Sequence, residues 1–445
     1  MPPDALLLQP IACFAGTLKL PGSKSLSNRH LLLAALAQGA TTLSNLLDSD
    51  DVRVMVAALR ELGVRIDGDP VTGSVTVQGR GGPLPGGTHR LHLGNAGTAM
   101  RPLTAVLAAG TGDYRLEGVP RMHERPIGDL VAGLRQLGAH IDYLGREGFP
   151  PLRLRAAGLH GGRAAISGRT SSQFLSALLL AAPLARGDVT LVIADELVSR
   201  PYVHMTLALM ERYGVRVREA DALHFLVPAG QRYRAPGALL VEGDASSASY
   251  FLAGAAITGG TVRVEGCGTD SLQGDARFAE VLARMGAQVR WEPGAIEVTG
   301  AGGALRAVDA DLVDMPDAAM TLAVAALFAD GPCTLRGIAN WRVKETDRMA
   351  AVSTELHKLG ARTEVGPDSL RVMPPARLRS ASIETYNDHR MAMAFSLAAC
   401  GGVPVTIQDP ACVAKTFPTF FEALAQLTAG DGAVTLAAPG AGEGS

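Results

Sequence analysis

One short pattern returns five times along this chain and limits the folds open to it. It reads L-R-E-L-G-V-R-I from Leu59, L-R-Q-L-G-A-H-I from Leu134, M-E-R-Y-G-V-R-V from Met210, L-A-R-M-G-A-Q-V from Leu282 and L-H-K-L-G-A-R-T from Leu356. The glycines, Gly63, Gly138, Gly214, Gly286 and Gly360, stand about 75 residues apart. A run of helix formers, a glycine and then β-formers spell the end of a helix, a left-handed C′ residue and a strand. F-E-A-L-A-Q-L, from Phe421 to Leu427, is a weaker sixth copy.

Each repeat also contains a helix that is apolar nearly all round, as suits a helix inside a layer. These are expected at Ser25–Gln38, Gly97–Ala109, Ser171–Ala185, Ala245–Ile257, Asp317–Ala329 and Asp388–Ala399. Strand-like runs such as Ser74–Gln78, Val189–Ile193 and Thr261–Val264 are bounded by Gly or Asp. The chain therefore reads as six α/β units in two halves of three. The expected joints are Lys19–Gly22 and the stretch from Ala235 to Gly243. Residues 21–240 would form an inserted domain, and 1–20 with 241–445 a discontinuous one, in which the Ala5–Leu18 segment pairs with the C-terminal half.

The chain is 445 residues long with a formal net charge of -2, so it has no global basic field of the kind that binds nucleic acid. Aromatic residues are 4% of the total, too few for base-stacking platforms. The five cysteines are odd in number and contain no C-x-x-C, which argues against a disulfide framework and structural zinc and for a cytoplasmic setting. Met1 to Gln9 lacks the basic region of a signal peptide, and no apolar run is long enough for a membrane span. The Gly- and Ala-rich tail after Ala429 reads as mobile.

The lysines are few and pointedly placed: Lys19, Lys24, Lys344, Lys358 and Lys415. Three of them lie in dense polar motifs, P-G-S-K-S-L-S-N-R, N-W-R-V-K-E-T-D-R and A-K-T-F-P. Lysine is a compact point charge that presses against one phosphate or carboxylate oxygen. Polar residues also precede the buried helices: Ser23 to Ser25, Asn95 to Thr98, Thr170 to Gln173, Asp244 to Ser247, Asp314 to Asp317 and Asn387 to Arg390. Two readings stand side by side. They are ordinary N-caps, or they present anion-binding helix tips. Lys344 and Arg348, four apart, are expected on one helical face, next to Glu345. Cys412 reads as a small buried hydrophobe. There is no Walker loop, H-E-x-x-H, zinc spacing or G-x-S-x-G.

Seven motifs together resemble one family. They are L-P-G-S-K-S-L-S-N-R, L-G-N-A-G-T-A-M-R-P-L, S-S-Q-F-L-S-A-L-L, G-D-A-S-S-A-S-Y, D-M-P-D-A-A-M-T, N-W-R-V-K-E-T-D-R and Y-N-D-H-R-M-A-M, spread in order between about Lys19 and Glu422. The chain resembles the EPSP synthase (3-phosphoshikimate 1-carboxyvinyltransferase) family of enolpyruvyl transferases. The resemblance implies two inverse α/β barrel-like domains, each of three βαβαββ units, with the active site in the cleft between them. It implies transfer of the carboxyvinyl group of phosphoenolpyruvate to the 5-hydroxyl of shikimate 3-phosphate, with release of phosphate, on the way to chorismate. No cofactor or metal is implied, and a monomer sensitive to glyphosate is.

By the same resemblance, shikimate 3-phosphate would meet Lys24, Ser25, Arg29, Ser171, Ser172, Gln173, Ser199, Asp317, Asn340 and Lys344. Phosphoenolpyruvate would meet Lys24, Asn95, Gly97, Arg125, Gln173, Arg348, Arg390 and Lys415. Asp317 would be the proton acceptor, Glu345 the proton donor, and Lys24 would assist proton movement and phosphate departure. Thr98 and Tyr202 would line the site, and Arg200 would be peripheral. Two alternatives remain at this point. One is the sister transferase acting on UDP-N-acetylglucosamine, whose loop before the Arg-Pro segment carries a cysteine that Gly118 to Glu124 lacks. The other is a non-catalytic anion binder on the same scaffold.

Overall fold

The computed structural model describes residues 4–428 and 434–435. The tail reading thus lies, apart from the strand Val434–Thr435, outside the described residues. The chain divides into two compact units, one running from Gly22 to Glu242, the other taking the chain up to Pro21 and from Gly243 onward.

Among the described residues there are six four-stranded sheets, three in each unit. The sheet at 88–157 shows the pattern. Thr88–His92 lies parallel to Thr111–Glu117, which lies antiparallel to Leu152–Ala157, which in turn pairs with Ile141–Tyr143. The helix Gly97–Ala108 makes the first crossover and Gly128–Gln136 follows the second strand, giving βαβαββ. A parallel strand pair needs a crossover of this kind, usually a helix.

One sheet in the first unit and two in the other are completed by a strand from a distant part of the chain. In the Gly22–Glu242 unit the last strand, Ala238–Leu240, pairs in parallel with Gln38–Ser44, near the unit's start. In the other unit Gly16–Lys19 pairs in parallel with Thr261–Glu265. There Ala5–Leu8 runs antiparallel to Val405–Gln408 and pairs with Val434–Thr435. The Ala5–Leu18 segment is therefore sheet-bonded to the C-terminal half of the chain.

All five repeat glycines have positive φ, from +77° at Gly63 to +108° at Gly286. Each ends an outer helix with the same pair of bonds. At Gly63 the glycine N–H reaches the Arg60 carbonyl and the next N–H, of Val64, reaches Leu59. Gly138, Gly214, Gly286 and Gly360 repeat this pattern, which satisfies carbonyls the helix end leaves open. These outer helices bury one face only. In Asp50–Glu61 the buried positions include Val52, Met55, Val56 and Leu59.

The inner helices bury almost everything. Every residue of Ala245–Thr258 except the last is buried, and Lys24–Leu36 exposes none fully. Three inner helices are clearly shorter than expected: Ser172–Ala181 gives way to a 3-10 turn at Ala182–Leu184, and two more lose their polar start. Ala319–Ala325 leaves Asp317 outside the helix, and His389–Phe395 passes into a 3-10 turn at Ser396. In these last two cases the polar residue sits in or just after a turn ahead of the helix, and its side chain meets other charged groups. Among the described residues no helix is long and apolar enough to cross a membrane.

Candidate active site

In the Gly22–Glu242 unit, polar groups gather at the start of two inner helices. Lys24 opens the helix Lys24–Leu36 and is 9% exposed. Its Nζ lies 3.7 Å from Asp51 Oδ2. Thr98, at the start of Gly97–Ala108, donates its hydroxyl to the same Asp51 oxygen at 3.1 Å, and accepts from Asn28 Nδ2 at 2.7 Å. Asp51 is a buried carboxylate that the sequence reading missed. It stands in an ordinary acidic first turn, where a negative charge is expected on dipole grounds alone.

Asn95, Gly97 and Arg125 meet. Arg125 Nη1 donates to both the backbone carbonyl and Oδ1 of Asn95, at 2.9 and 3.1 Å. Arg101, also buried, donates to the Pro126 carbonyl at 3.1 Å. A Cβ built on Gly97 would stand 2.9 Å from Arg125 Nη2 and closer still to Arg101 Nη1. Two guanidinium groups thus crowd a position that only glycine leaves open.

Arg29 joins two helices. It donates to Thr206 Oγ1 at 2.8 Å, to the Ser25 carbonyl at 3.0 Å and to the Tyr202 carbonyl at 3.5 Å. Burial pulls its guanidinium down to about 10, still cationic at neutral pH. The guanidinium has more donors than these three acceptors use. Ser171 is an N-cap, accepting from the Gln173 N–H at 3.2 Å. Ser172 is buried and Gln173 half-buried beside it. Ser199 precedes the helix Arg200–Arg212 in a left-handed conformation, φ +54°. Arg200 donates to the Ala222 carbonyl.

The other unit holds a denser cluster around Asp317. Arg390 Nη2 reaches Asp317 Oδ2 at 2.9 Å, while Arg348 Nη1 and Lys344 Nζ reach Oδ1 at 2.9 and 3.4 Å. Arg348, 1% exposed, also binds Glu345 Oε2 at 3.0 Å and Asp388 Oδ2 at 2.7 Å. Asp388 caps the next helix as well, accepting from the Arg390 N–H at 3.0 Å. Arg390 donates from Nη1 to the Tyr250 hydroxyl at 3.1 Å.

Lys344 and Arg348 do not share a helical face. The helix begins at Arg348 with Asp347 as its N-cap, and Lys344 ends a separate 3-10 turn, Ala339–Val343, in extended backbone. Asp347 takes the Ala350 N–H at 3.2 Å, so the chain stops being helical before it. The two cations meet at Asp317 instead.

Backbone contacts hold Asp317 on both sides. The Trp341 indole N–H donates to the Pro316 carbonyl at 2.7 Å, and the Ala318 N–H donates to Asp275 Oδ1 at 3.0 Å. Asn340 Oδ1 is buried without a hydrogen-bond partner, and Lys415, 9% exposed, closes the turn Pro410–Lys415.

Charge sets the protonation states. Burial pushes the Asp317 carboxyl up, but Arg390, then Lys344 and Arg348, outweigh it and hold it well below the usual carboxylate range. Burial pulls Arg348 down, yet Asp388, Glu345 and Asp317 outweigh that and raise it. Burial pushes Tyr250 up to about 12, so its hydroxyl stays neutral beside Arg390. Cys412 is half-buried rather than buried as expected, and partial burial still pushes its thiol up to about 12, which does not suit a nucleophile. Among the described residues no three His, Cys, Asp or Glu side chains are grouped to hold a metal ion.

Known proteins resemble this chain over nearly all its length. The family model of EPSP synthase (3-phosphoshikimate 1-carboxyvinyltransferase) matches residues 8–424. The chloroplastic 3-phosphoshikimate 1-carboxyvinyltransferase of Brassica napus is 58% identical over 438 residues, spanning 95% of this chain and 85% of the relative. The enzyme of that name from Burkholderia vietnamiensis is 58% identical over 432 residues, spanning 95% and 99%. The EPSP synthase structure from Acinetobacter baumannii superposes with a TM-score of 0.80 at 28% identity, covering 98% of this chain and 99% of the other. With the family model matched over residues 8–424 and relatives 58% identical across 95% of its length, this chain belongs to the EPSP synthase family.

Proposed function

We propose that this chain transfers the carboxyvinyl group of phosphoenolpyruvate to the 5-hydroxyl of shikimate 3-phosphate, releasing inorganic phosphate. The observation that carries the reading is the Asp317 carboxylate held by Lys344, Arg348 and Arg390, with Glu345 on the same Arg348 guanidinium. A pure anion binder gains nothing from two carboxylates among its cations.

Asp317 accepts the proton of the 5-hydroxyl as its oxygen attacks C2 of phosphoenolpyruvate. Glu345 delivers a proton to the methylene carbon, and the tetrahedral adduct then expels phosphate while one proton of its new methyl group returns to Glu345, which restores the carbon–carbon double bond. Empty, Asp317 is a weak base, because three cations favour its ionised form. Phosphate and carboxylate groups bound to those cations offset them and lift Asp317 toward the range where it accepts a proton at neutral pH.

In this reading Lys24, Ser25, Arg29, Ser171, Ser172, Gln173, Ser199, Asn340 and Lys344, with Asp317, contact shikimate 3-phosphate. Lys24, Asn95, Gly97, Arg125, Gln173, Arg348, Arg390 and Lys415 contact phosphoenolpyruvate. Two unit charges of one sign repel at about 4 kcal/mol at ~4 Å under an effective dielectric near 20. Bringing two phosphorylated acids together therefore calls for several cations. No cofactor takes part. The enzyme works as a monomer in the cytoplasm, and glyphosate competes at the phosphoenolpyruvate groups.

The test is phosphate release with both substrates present and with each withheld, then with UDP-N-acetylglucosamine in place of shikimate 3-phosphate. Release only with the first pair is expected. Release with the UDP-sugar alone, or none with either acceptor, overturns the reading.

A further inference from the structure

Glu355 is a carboxylate with no solvent access, on the same helix as Arg348. Its Oε2 pairs with Lys358 Nζ at 2.8 Å and accepts the Glu384 backbone N–H at 3.1 Å. Its Oε1 accepts the Tyr386 hydroxyl at 2.7 Å. A buried carboxylate persists only when it is paired and hydrogen-bonded, and two of these three partners come from one short segment.

That segment is strained. Tyr386 and Asn387 follow one another in the left-handed region, with φ of +54° and +53°. Asparagine tolerates this conformation. Tyrosine, like other residues with a bulky side chain, does so at a cost. Apolar burial does not hold Tyr386 there, since it is 41% exposed. Its hydroxyl bond to Glu355 is the visible restraint, with the Asp388 N–H to Thr385 carbonyl bond, at 2.9 Å, closing the turn.

The turn delivers Asp388 and the helix His389–Phe395. Asp388 grips Arg348 through two oxygens, at 2.7 and 3.3 Å, and caps the helix that carries Arg390. The positions of both guanidinium groups thus depend on the turn, and the turn depends on Glu355.

We infer that Glu355 is a positioning residue for phosphoenolpyruvate binding, acting through the Tyr386–Asn387 turn on Arg348 and Arg390. This rests on the proposed function, which assigns those two arginines to that substrate.

The test uses the full chain and four measurements: kcat, the two KM values and Tm. Tyr386→Phe removes one hydroxyl at an exposed site and leaves the core intact; Glu355→Gln removes the charge in place. Each raises KM for phosphoenolpyruvate by about tenfold, more than it changes kcat or KM for shikimate 3-phosphate. Adding Tyr386→Gly to Glu355→Gln recovers about threefold of the loss, because glycine takes the left-handed conformation at the strained position without a Cβ penalty.

A lowered Tm with an unchanged phosphoenolpyruvate KM in both single variants overturns the inference, as does an equal rise in both KM values. A double variant no better than Glu355→Gln alone overturns the route through the turn. A wild-type chain that releases no phosphate from the substrate pair overturns the functional reading itself, a result read before any variant is made.

Discussion

Gly97 lies directly against the guanidinium of Arg125, so close that a Cβ there would stand 2.9 Å from Nη2, with Arg101 Nη1 nearer still. Both neighbours are the ends of flexible side chains, so alanine at 97 would fold and push them aside. Arg125 would lose its paired contacts with the Asn95 carbonyl and Oδ1. Gly97→Ala is expected to raise KM for phosphoenolpyruvate by about tenfold and to weaken glyphosate inhibition at least as much, with kcat changed less. Steady-state kinetics with and without glyphosate check this, and an unchanged inhibition constant would count against placing Gly97 at that substrate.

Asp317 has two roles that one substitution separates. In the proposed mechanism it is the base; as an anion it offsets Lys344, Arg348 and Arg390. Asp317→Ala is expected to lower kcat by about 10²–10⁴-fold. It leaves three cations with less opposing charge, so inorganic phosphate should bind the variant more tightly than the wild type. Circular dichroism should be unchanged. Calorimetric titration with phosphate is the check, and weaker binding in the variant would contradict the electrostatic account.

Lys24 and Asp51 form a buried pair, 3.7 Å apart, with Thr98 on the same Asp51 oxygen. Lys24→Met is expected to cut turnover by orders of magnitude and to lower stability by about 1–3 kcal/mol, since Asp51 keeps its charge without the adjacent ammonium. Adding Asp51→Asn should return most of the stability and none of the turnover. Denaturant unfolding and phosphate release, measured on the same two variants, separate these effects. A double variant that regains activity would remove Lys24 from the chemistry.

The repeats were legible because their signals are local. A glycine at C′ and an apolar helix announce themselves within a dozen residues, and Gly63 through Gly360 all adopt the conformation their setting demands. The cationic and acidic members of the candidate site stood in motifs. Which groups they pair with was not legible. Asp51, Asp388, Tyr250 and Asp275 lie between 27 and 140 positions from the groups they hold, and no local pattern sets such a pairing apart from an ordinary cap. The misjudged helical face of Lys344 and Arg348 did have a local sign: Asp347 is a preferred N-cap residue, and the helix starts after it.

His30 should make the stability of its unit depend on pH. Burial, with some help from Arg212, pulls its imidazole from the ordinary 6.5 to about 4, and its Nδ1 lies 3.3 Å from the Tyr213 hydroxyl. The folded chain keeps it neutral while the unfolded chain takes up a proton below pH 6.5. Stability is therefore fully present above that pH and lost as pH falls toward 4. The gap corresponds to about 3 kcal/mol at most, at ~1.4 kcal/mol per pH unit. Urea unfolding at several pH values should show a shallower slope in His30→Gln than in wild type, and equal slopes would mean that other groups govern the acid limb.

Gly214 isolates the cost of the left-handed turn that recurs along the chain. Its φ is +82°, and the nearest atoms to an added Cβ belong to Arg234, at 3.9 Å or more. Nothing collides, so Gly214→Ala is opposed by backbone conformation alone, about 1–2 kcal/mol. For a unit of this size that corresponds to a Tm lower by roughly 2–8 °C. Gly82 is the control: it has no positive φ and no atom within 4 Å of an added Cβ. Alanine there should leave Tm unchanged or raise it slightly, by narrowing the unfolded ensemble. Equal losses at both positions would show that flexibility, and not the left-handed conformation, is what these glycines supply.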